Sequence, residues 1–166
     1  MNADDQPQLK RISYAKPALA GLRGISTLAA TDVLSAIVQT LAPGARQGLH
    51  AHGSYHGFYF VLAGRARFYR RDNQLFAEIG PHEAVLVPRN TPYAFEAAEE
   101  EVQLLAIDVT DKTAQETFTA YEDGADIVDV ELFAAEGTRL SQEEMKMEPQ
   151  ITLTPPSVRA SNPSAA

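Results

Sequence analysis

Three of the chain's four histidines fall close together, at His50, His52 and His56. Imidazole changes charge near neutral pH and is a common nitrogen ligand of transition metals. Two histidines separated by one residue on a β-strand lie on the same face, because strand side chains alternate. The spacing of His50 and His52 therefore predicts a pair of imidazoles able to form half of a metal site or to move a proton.

The composition narrows the chemistry that can accompany these histidines. The chain has 166 residues, which is enough for one domain with its own core. It has no cysteine, which excludes disulfides, thiolate metal sites and a cysteine nucleophile. A net charge of −8 disfavours a nucleic-acid partner. No apolar segment approaches the roughly 18–20 residues of a spanning helix, and the polar start is unlike a secretory signal. We expect a cytoplasmic protein with no membrane partner.

The histidines are surrounded by short apolar segments separated by turn residues, a pattern typical of β-strands. The turns are marked by Gly64, between HGFYFVLA and RARFYR, and by Asp72 and Asn73. Several segments are apolar on both faces, which favours a sandwich or barrel whose outside packs on another layer. The candidate strands are 9–14, 25–30, 33–41, 57–63, 65–70, 74–79, 84–87, 93–97 and 102–109.

The segment around the paired histidines resembles the first motif of the cupin superfamily. That motif has a glycine, five residues, His-x-His, a short gap, a glutamate, six residues and a second glycine. Gly44, His50, His52 and Gly64 fall on this spacing. The resemblance implies an all-β fold, a single cupin-type double-stranded β-helix (jelly-roll) barrel, with the site inside the barrel.

A later segment, IGPHEAVLVPRNTPYAF, resembles the second cupin motif. Gly80 and Pro88 match, Asn90 stands where a glycine is usual, and Tyr93 stands where a histidine is usual. Asparagine tolerates a positive φ better than most residues, so Asn90 is expected to serve the same turn. The two motifs together indicate the fold, and the fold alone does not specify a function.

The resemblance and the composition together predict four regions along the chain. They are a flexible N-terminus at 1–8, the barrel at 9–110, an extension packing on the barrel at 111–153 and a disordered tail at 154–166. Within the extension, 112–121 is predicted as a short helix or an irregular segment, and 126–133 as a weak strand. Ser141 and Glu144 have the spacing of a capping box, which predicts a short C-terminal helical segment.

The cupin resemblance implies four metal ligands, two histidines, a glutamate and a final histidine, of which only His50 and His52 are intact. The glutamate position falls on Gly57 counted back from Gly64, or on His56 counted forward from His52. The final histidine has become Tyr93.

Two hypotheses follow from this altered ligand set. In the first, His50, His52 and His56 bind a divalent metal (Fe, Mn, Ni, Zn or Cu), with Tyr93 as a fourth ligand or as an acid–base group beside it. In the second, the metal has been lost, and His50 and His52 act as hydrogen-bonding or acid–base groups in an organic-ligand pocket. If His56 begins the strand, alternation points it away from the position of Gly57 unless a bulge intervenes.

The resemblance implies a small-molecule enzyme that uses the barrel interior, of oxygenase, isomerase or lyase type, with tailoring enzymes of secondary metabolism among its relatives. The catalytic candidates are Tyr93 and His50. The alternative is a metal-free cupin that binds or senses a small organic ligand without catalysis. A homodimer is expected, since two-faced apolar strands would otherwise expose apolar surface. The side chains predicted to line the substrate pocket, or equally to form plain core, are Tyr59, Val61, Phe95, Leu105 and Ile107.

Overall fold

The molecule consists of two stacked β-sheets. The structure is a computed structural model, and it describes residues 8–122, 130–141, 143–144 and the backbone of 157–159. The sheet orders are β11-β1-β2-β9-β4-β7 and β12-β10-β3-β8-β5-β6. The all-β architecture predicted from the sequence is confirmed. The strands of the described residues are β1 Arg23–Ala30, β2 Leu34–Leu41, β3 Arg46–His52, β4 Tyr55–Ala63, β5 Ala66–Tyr69, β6 Leu75–Ile79, β7 Ala84–Val87, β8 Tyr93–Ala97, β9 Val102–Thr110, β10 Phe118–Ala120, β11 Glu131–Ala134 and β12 Ser157–Arg159.

Alternation along each strand decides which side chains fill the space between the sheets. In β4, Tyr59 and Val61 are buried, whereas Phe58 and Leu62 are exposed on the outer face. Phe95 of β8 belongs to the same buried cluster as Tyr59 and Val61. These three residues therefore lie inside the barrel, in the region that the sequence predicted as lining or core.

The alternation of β9 overturns two of the predicted pocket residues. Leu104 and Ala106 are the fully buried members of this strand. Leu105 lies opposite Phe60 of β4, and Ile107 opposite Phe58, which places both on the outer face of the sheet. The prediction that Leu105 and Ile107 line the pocket is therefore wrong, because apolar residues fill both faces of β9.

Two turns take the backbone geometry that the motifs require. Gly64 has a φ of 76°, and a Cβ there would come within 2.2 Å of the carbonyl oxygen of Glu101, so only glycine fits. Asn90 also has a positive φ, 62°, as predicted. Its backbone N–H donates to the carbonyl of His52 at 2.7 Å. The second motif thus fixes the end of the strand that carries the histidines.

The C-terminal extension contributes strands to both sheets. In β10, Ala120 lies opposite His50 and Phe118 opposite His52, and β11 pairs with β1 in parallel. Residues 112–117 form neither helix nor strand, as expected for the irregular alternative at 112–121, whereas 118–120 form a strand. The backbone of 157–159 pairs with β10, so this part of the predicted disordered tail is ordered as a strand, because β10 offers it a free edge. Residues 1–7 and most of the tail lie outside the described residues.

Two further expectations concern the ends of the described region. No strand forms at 9–14. Residues 9–13 are exposed, and the Tyr14 hydroxyl donates to Gln103 Oε1 at 2.8 Å. The Ser141 and Glu144 capping box is confirmed, with Glu144 Oε2 accepting from the Ser141 N–H at 2.8 Å. The helix expected to begin there lies mostly outside the described residues. Of the strand expected at 126–133, residues 131–133 belong to β11 and 126–129 lie outside the described residues.

The outer face of β4, β7 and β9 carries exposed apolar side chains. Phe58, Leu86 and Val109 are 40%, 65% and 47% exposed. The expected homodimer stays a prediction, which sedimentation of the purified chain tests. The described residues include no helix of the length and apolarity that crossing a membrane requires.

Candidate functional site

His50 lies fully inside the barrel, near the end of β3. Its Nδ1 is 2.7 Å from the carbonyl oxygen of Gly48, which can only accept, so Nδ1 carries the proton and Nε2 holds a lone pair. Nε2 is buried with no hydrogen-bond partner among the described residues. Burial, with a further contribution from His52, lowers the pKa of His50 to about 3. His50 is therefore a neutral imidazole with a free acceptor inside the barrel.

His52 sits closer to the barrel mouth and is only partly shielded. Its ring lies 5.1 Å from that of His50 and 4.3 Å from that of Tyr55, between centroids. The Nδ1 atom is 3.8 Å from Glu116 Oε1, too far for a hydrogen bond, and is buried without a partner in the described structure. His52 therefore lies between the buried His50 and the carboxylate of Glu116, which is near the open end of the barrel.

His56 lies on the opposite face of β4 and does not join the other two histidines. It is exposed, and it lies opposite Val109 on the outer face. Its Nδ1 faces the backbone N–H of Arg89 at 3.4 Å. The register from Tyr55 to Val61 has no bulge that would re-aim His56, so strand alternation keeps it outside. The three-histidine ligand set of the first hypothesis is not formed.

Tyr93 lies beside His50 inside the barrel. Its ring centroid is 4.4 Å from that of His50, and its hydroxyl is 2.5 Å from the hydroxyl of Tyr59. Burial raises the pKa of Tyr93 and of Tyr59 well above the usual value for a phenol. Both phenols therefore keep their protons at neutral pH, and the pair can donate one hydrogen bond outward.

Arg23 is an interior cation that sequence reasoning missed. It is 8% exposed, and its Nη2 donates to the side-chain oxygens of Gln47 at 3.0 Å and Gln39 at 3.4 Å. Burial lowers the pKa of Arg23 to about 10, so it remains charged near neutral pH. Its charge acts on Tyr59 and Tyr93. The sequence contained one signal for this position. Arg23 lies two residues before Ile25, the first residue of a predicted strand, so in an extended chain both side chains point to the same face.

Asp108 is the second residue that sequence reasoning missed. In the ladder between β4 and β9 it lies opposite Gly57. A Cβ built on Gly57 would lie 3.2 Å from Asp108 Oδ1 and 2.9 Å from the ring of Tyr59. The carboxylate of Asp108 therefore lies beside the position from which the family glutamate would project. Its signal in the sequence was a lone acid in the apolar segment VQLLAIDV.

The environment of Asp108 is unusual for a carboxylate. Oδ1 is buried and has no hydrogen-bond partner among the described residues. Burial, and secondarily the charge of Glu116, raises the pKa of Asp108 to about 7. A buried acid that titrates near neutrality in a cavity is a recognised mark of a functional site.

A cavity of about 300 Å³ with acidic residues in its lining opens at this end of the barrel, and we call it the mouth cavity. Asp108 and Glu116 line it, together with Tyr55. Asp32, also in the lining, is paired with Lys112. The remaining lining residues come from the β1–β2 connection and the strand ends, namely Ala30, Thr31, Val33, Leu34, Ser35, Ser54 and Thr110.

The residues present do not fit the four-ligand metal centre that the family resemblance implies. The unpartnered Nε2 of His50 and Nδ1 of His52 are suitable donors, but Gly57 supplies no carboxylate and the Tyr93 hydroxyl is engaged with Tyr59. No three His, Asp or Glu side chains of the described residues converge on a point where an ion could sit. Two nitrogens alone fall short of the three protein ligands typical of catalytic zinc sites.

Comparison with known proteins agrees with the fold. Residues 37–110 match the family model described as "Cupin domain". A comparison with curated proteins gives no match. Residues 37–110 thus form a cupin domain.

Solved structures with the same fold are distant in sequence. A cupin superfamily protein from Desulfitobacterium hafniense is 19% identical, with a TM-score of 0.53 over 63% of this chain and 100% of that one. A double-stranded β-helix protein from Klebsiella pneumoniae is 14% identical, with a TM-score of 0.55 over 66% and 92%. A conserved barrel protein from Leptotrichia buccalis is 24% identical, with a TM-score of 0.51 over 57% and 44%. At these identities the likeness concerns the fold.

Proposed function

We propose that this cupin is an enzyme that moves a proton on a small polar organic molecule held in the mouth cavity, without a metal ion. The observation that carries the proposal is the buried carboxyl group of Asp108, which lines this cavity with an unpartnered Oδ1. A buried Oδ1 without a hydrogen-bond partner among the described residues lowers the stability of the fold. A bound substrate would supply the missing partner.

Asp108 is suited to act as the acid–base group. With a pKa of about 7, it is populated in both protonation states at neutral pH, where general acid–base catalysis is most effective. Proton abstraction next to a carbonyl illustrates the step. The carboxylate takes the proton from carbon, the C–H electron pair moves into the carbonyl, and the proton returns to the same or another atom. Steps of this type serve isomerases and lyases.

The interior groups behind the cavity have the chemistry to support this step. His50 offers an acceptor at Nε2 and remains neutral because it is buried. The phenols of Tyr93 and Tyr59 stay protonated and can donate to a developing oxyanion. The buried charge of Arg23 stabilises negative charge in the same region. His50 and Tyr93 therefore remain the catalytic candidates beside Asp108, and His52 links them to the mouth.

Deuterium exchange tests the proposal directly, because it detects proton transfer whichever product the enzyme forms. The protein is incubated in D₂O with a panel of small oxo acids, sugars and amino ketones, and proton NMR follows the loss of C–H signals. We expect exchange in at least one compound and a loss of about 100-fold or more in Asp108→Asn. The matched control is Asp111→Asn, since Asp111 is on the same segment but paired with Arg89.

Two results would count against the proposal. Exchange that persists in Asp108→Asn would remove Asp108 from the chemistry. Line broadening of a compound without any exchange would instead support the alternative, a cupin that binds or senses a small ligand without catalysis.

Elemental analysis tests the metal-free part of the proposal. Protein purified without added metal and then incubated with Fe, Mn, Ni, Zn or Cu should hold clearly less than one ion per chain after desalting. A full equivalent that disappears in both His50→Ala and His52→Ala would show that the metal hypothesis is right. His56→Ala is the matched control, because this histidine lies on the outer face.

A further inference from the structure

A second cavity, of about 340 Å³, opens on the side of the barrel, and we call it the lateral cleft. It lies between β6 and β7, which are the last strands of the two sheets. The two strands are joined by the turn at 80–83 but belong to different ladders, so the space between them is not closed by hydrogen bonds. The cleft is lined by Phe68, Tyr69, Arg70, Arg71, Phe76, Val85, Leu86, Val87, Thr91, Pro92 and Tyr93.

The floor of the lateral cleft is part of the apolar core. Phe68, Val85 and Val87 are 1%, 7% and 7% exposed and belong to the main buried cluster. Phe76 and Leu86 stand at the rim with 51% and 65% of their surface exposed. An apolar molecule in the cleft would cover these rim side chains and contact the floor, which is favourable in proportion to the apolar area removed from water.

The rim also carries two arginines without a carboxylate partner. The guanidinium of Arg70 lies 5.0 Å from the ring centroid of Phe76, and that of Arg71 lies 5.3 Å from the ring centroid of Tyr121. Neither forms an ion pair with any described residue. By contrast, the nearby Arg65 is paired with Glu78 at 2.9 Å. In a chain of net charge −8, two adjacent cations with no carboxylate partner among the described residues create a local site for an anion.

We propose that the lateral cleft binds a small organic anion with an apolar body, such as an alkyl or aryl carboxylate. The apolar body lies on the floor, and the carboxylate lies between Arg70 and Arg71, whose planar groups suit it. The volume is at the lower end of the range of roughly 300–1,000 Å³ for small-molecule pockets. This site is distinct from the mouth cavity, which Asp108 and Glu116 line, although Tyr93 lines the cleft and is also a candidate in the proposed reaction.

Isothermal titration calorimetry with octanoate at pH 7 and low salt tests the proposal. Octanoate should bind with measurable heat, and octylammonium of the same length should bind at least ten-fold more weakly. Butanoate should also bind more weakly, because it buries less apolar surface. Arg70→Gln and Arg71→Gln should each weaken octanoate binding by about five-fold. Arg65→Gln is the matched control and should leave the affinity unchanged.

Several results would overturn the proposal. These are an absence of octanoate binding at millimolar concentration, equal binding of octylammonium, and unchanged affinity in the double variant Arg70→Gln/Arg71→Gln. All the substituted arginines are exposed, so the variants are expected to fold. The melting temperature of each variant confirms this before its affinity is interpreted.

Discussion

The mouth cavity and the lateral cleft open into the same barrel but have opposite chemistry. The mouth cavity is acidic, and its key carboxyl group, that of Asp108, is buried. The lateral cleft is apolar, and its charged groups, Arg70 and Arg71, are exposed at the rim. A single small fold therefore presents two surfaces that select different ligands.

The difference follows from the position of each strand in its sheet. Asp108 lies on β9, which has β2 on one side and β4 on the other, so its carboxylate loses water and its pKa rises. Arg70 and Arg71 lie in the connection between β5 and the edge strand β6, where long cationic side chains keep their charged groups in solvent and their stems on apolar surface. The central strand therefore provides a group with altered protonation, and the connection beside the edge strand provides groups for charge recognition.

The largest effect should come from the charge of Asp108. Between the unfolded value of 3.8 and the folded value of about 7, only the unfolded chain releases the proton. Wild-type stability therefore falls as pH rises through this window, while Asp108→Asn does not share the loss. The advantage of the variant should grow by about 2–3 kcal/mol from pH 5 to pH 8 in urea unfolding. If the difference in unfolding free energy between the variant and the wild type does not change with pH, folding does not raise the pKa of Asp108.

The titration of His50 should change stability with pH in the opposite direction. Its pKa falls from 6.5 to about 3 on folding, so below pH 6.5 the unfolded chain binds a proton that the folded chain does not. In the Asp108→Asn background, stability should fall by about 2 kcal/mol from pH 6.5 to pH 5. Adding His50→Gln should remove this slope. If the slope survives in the double variant, another group causes it.

Gly57→Ala should damage the mouth cavity and spare the lateral cleft. The added Cβ would lie 2.9 Å from the Tyr59 ring and 3.2 Å from Asp108 Oδ1. Overpacking of this kind costs about 1–3 kcal/mol. We expect a lower melting temperature and slower deuterium exchange, with octanoate affinity unchanged. Loss of octanoate binding would mean that the two regions are coupled.

The ring of Tyr93 lines the cleft, and its hydroxyl pairs with that of Tyr59. The Tyr93→Phe variant separates these two roles. The loss of the hydroxyl leaves Tyr59 without that partner and should destabilise the fold by about 1 kcal/mol. The ring that lines the cleft is kept, so octanoate affinity should stay constant. Exchange should slow by about ten-fold or more if the phenol donates to the substrate. Full exchange activity would limit Tyr93 to a structural role.

Arg71→Gln should have the smallest effect on stability, within about 0.5 kcal/mol, because surface changes without ion pairs are nearly neutral. Thermal unfolding of this variant and of Arg67→Gln provides the comparison, since Arg67 is paired with Glu78 at 2.8 Å. A large loss in Arg71→Gln would indicate that the contact with Tyr121 supports the fold.

The sequence was sufficient to predict the fold because its signals are local. The turn glycines, Asn90 and the apolar segments predicted most strands of the barrel to within two residues, including 84–87 and 93–97. The strand Arg46–His52, which carries the paired histidines, was not among the candidate strands. The strand at 118–120 and the ordered backbone at 157–159 were also missed. Their sequences carry weak β-signals, and they are strands because β3 and then β10 offer free edges for pairing.

The candidate site was predicted only in part. His50, His52 and Tyr93 followed from the motif spacing, whereas the position of His56 depended on strand phase, which the structure settles as outward. Asp108 and Arg23 were missed because their importance arises from burial, and burial depends on contacts distant in sequence. A pattern along one strand cannot report which residue lies opposite on the next strand.

The ladder between β4 and β9 places Gly57 and Asp108 in facing positions, and this pairing has a consequence for how barrels are compared and redesigned. A functional group inside a barrel has two possible origins, one on each facing strand, only about 5 Å apart. A motif that is read along one strand shows Gly57 where an acid is usual, although the folded barrel has the carboxylate of Asp108 beside that position. Designers can use the same freedom to transfer a charge between strands, for instance with Gly57→Asp/Asp108→Gly, and so vary its angle of approach at nearly constant position.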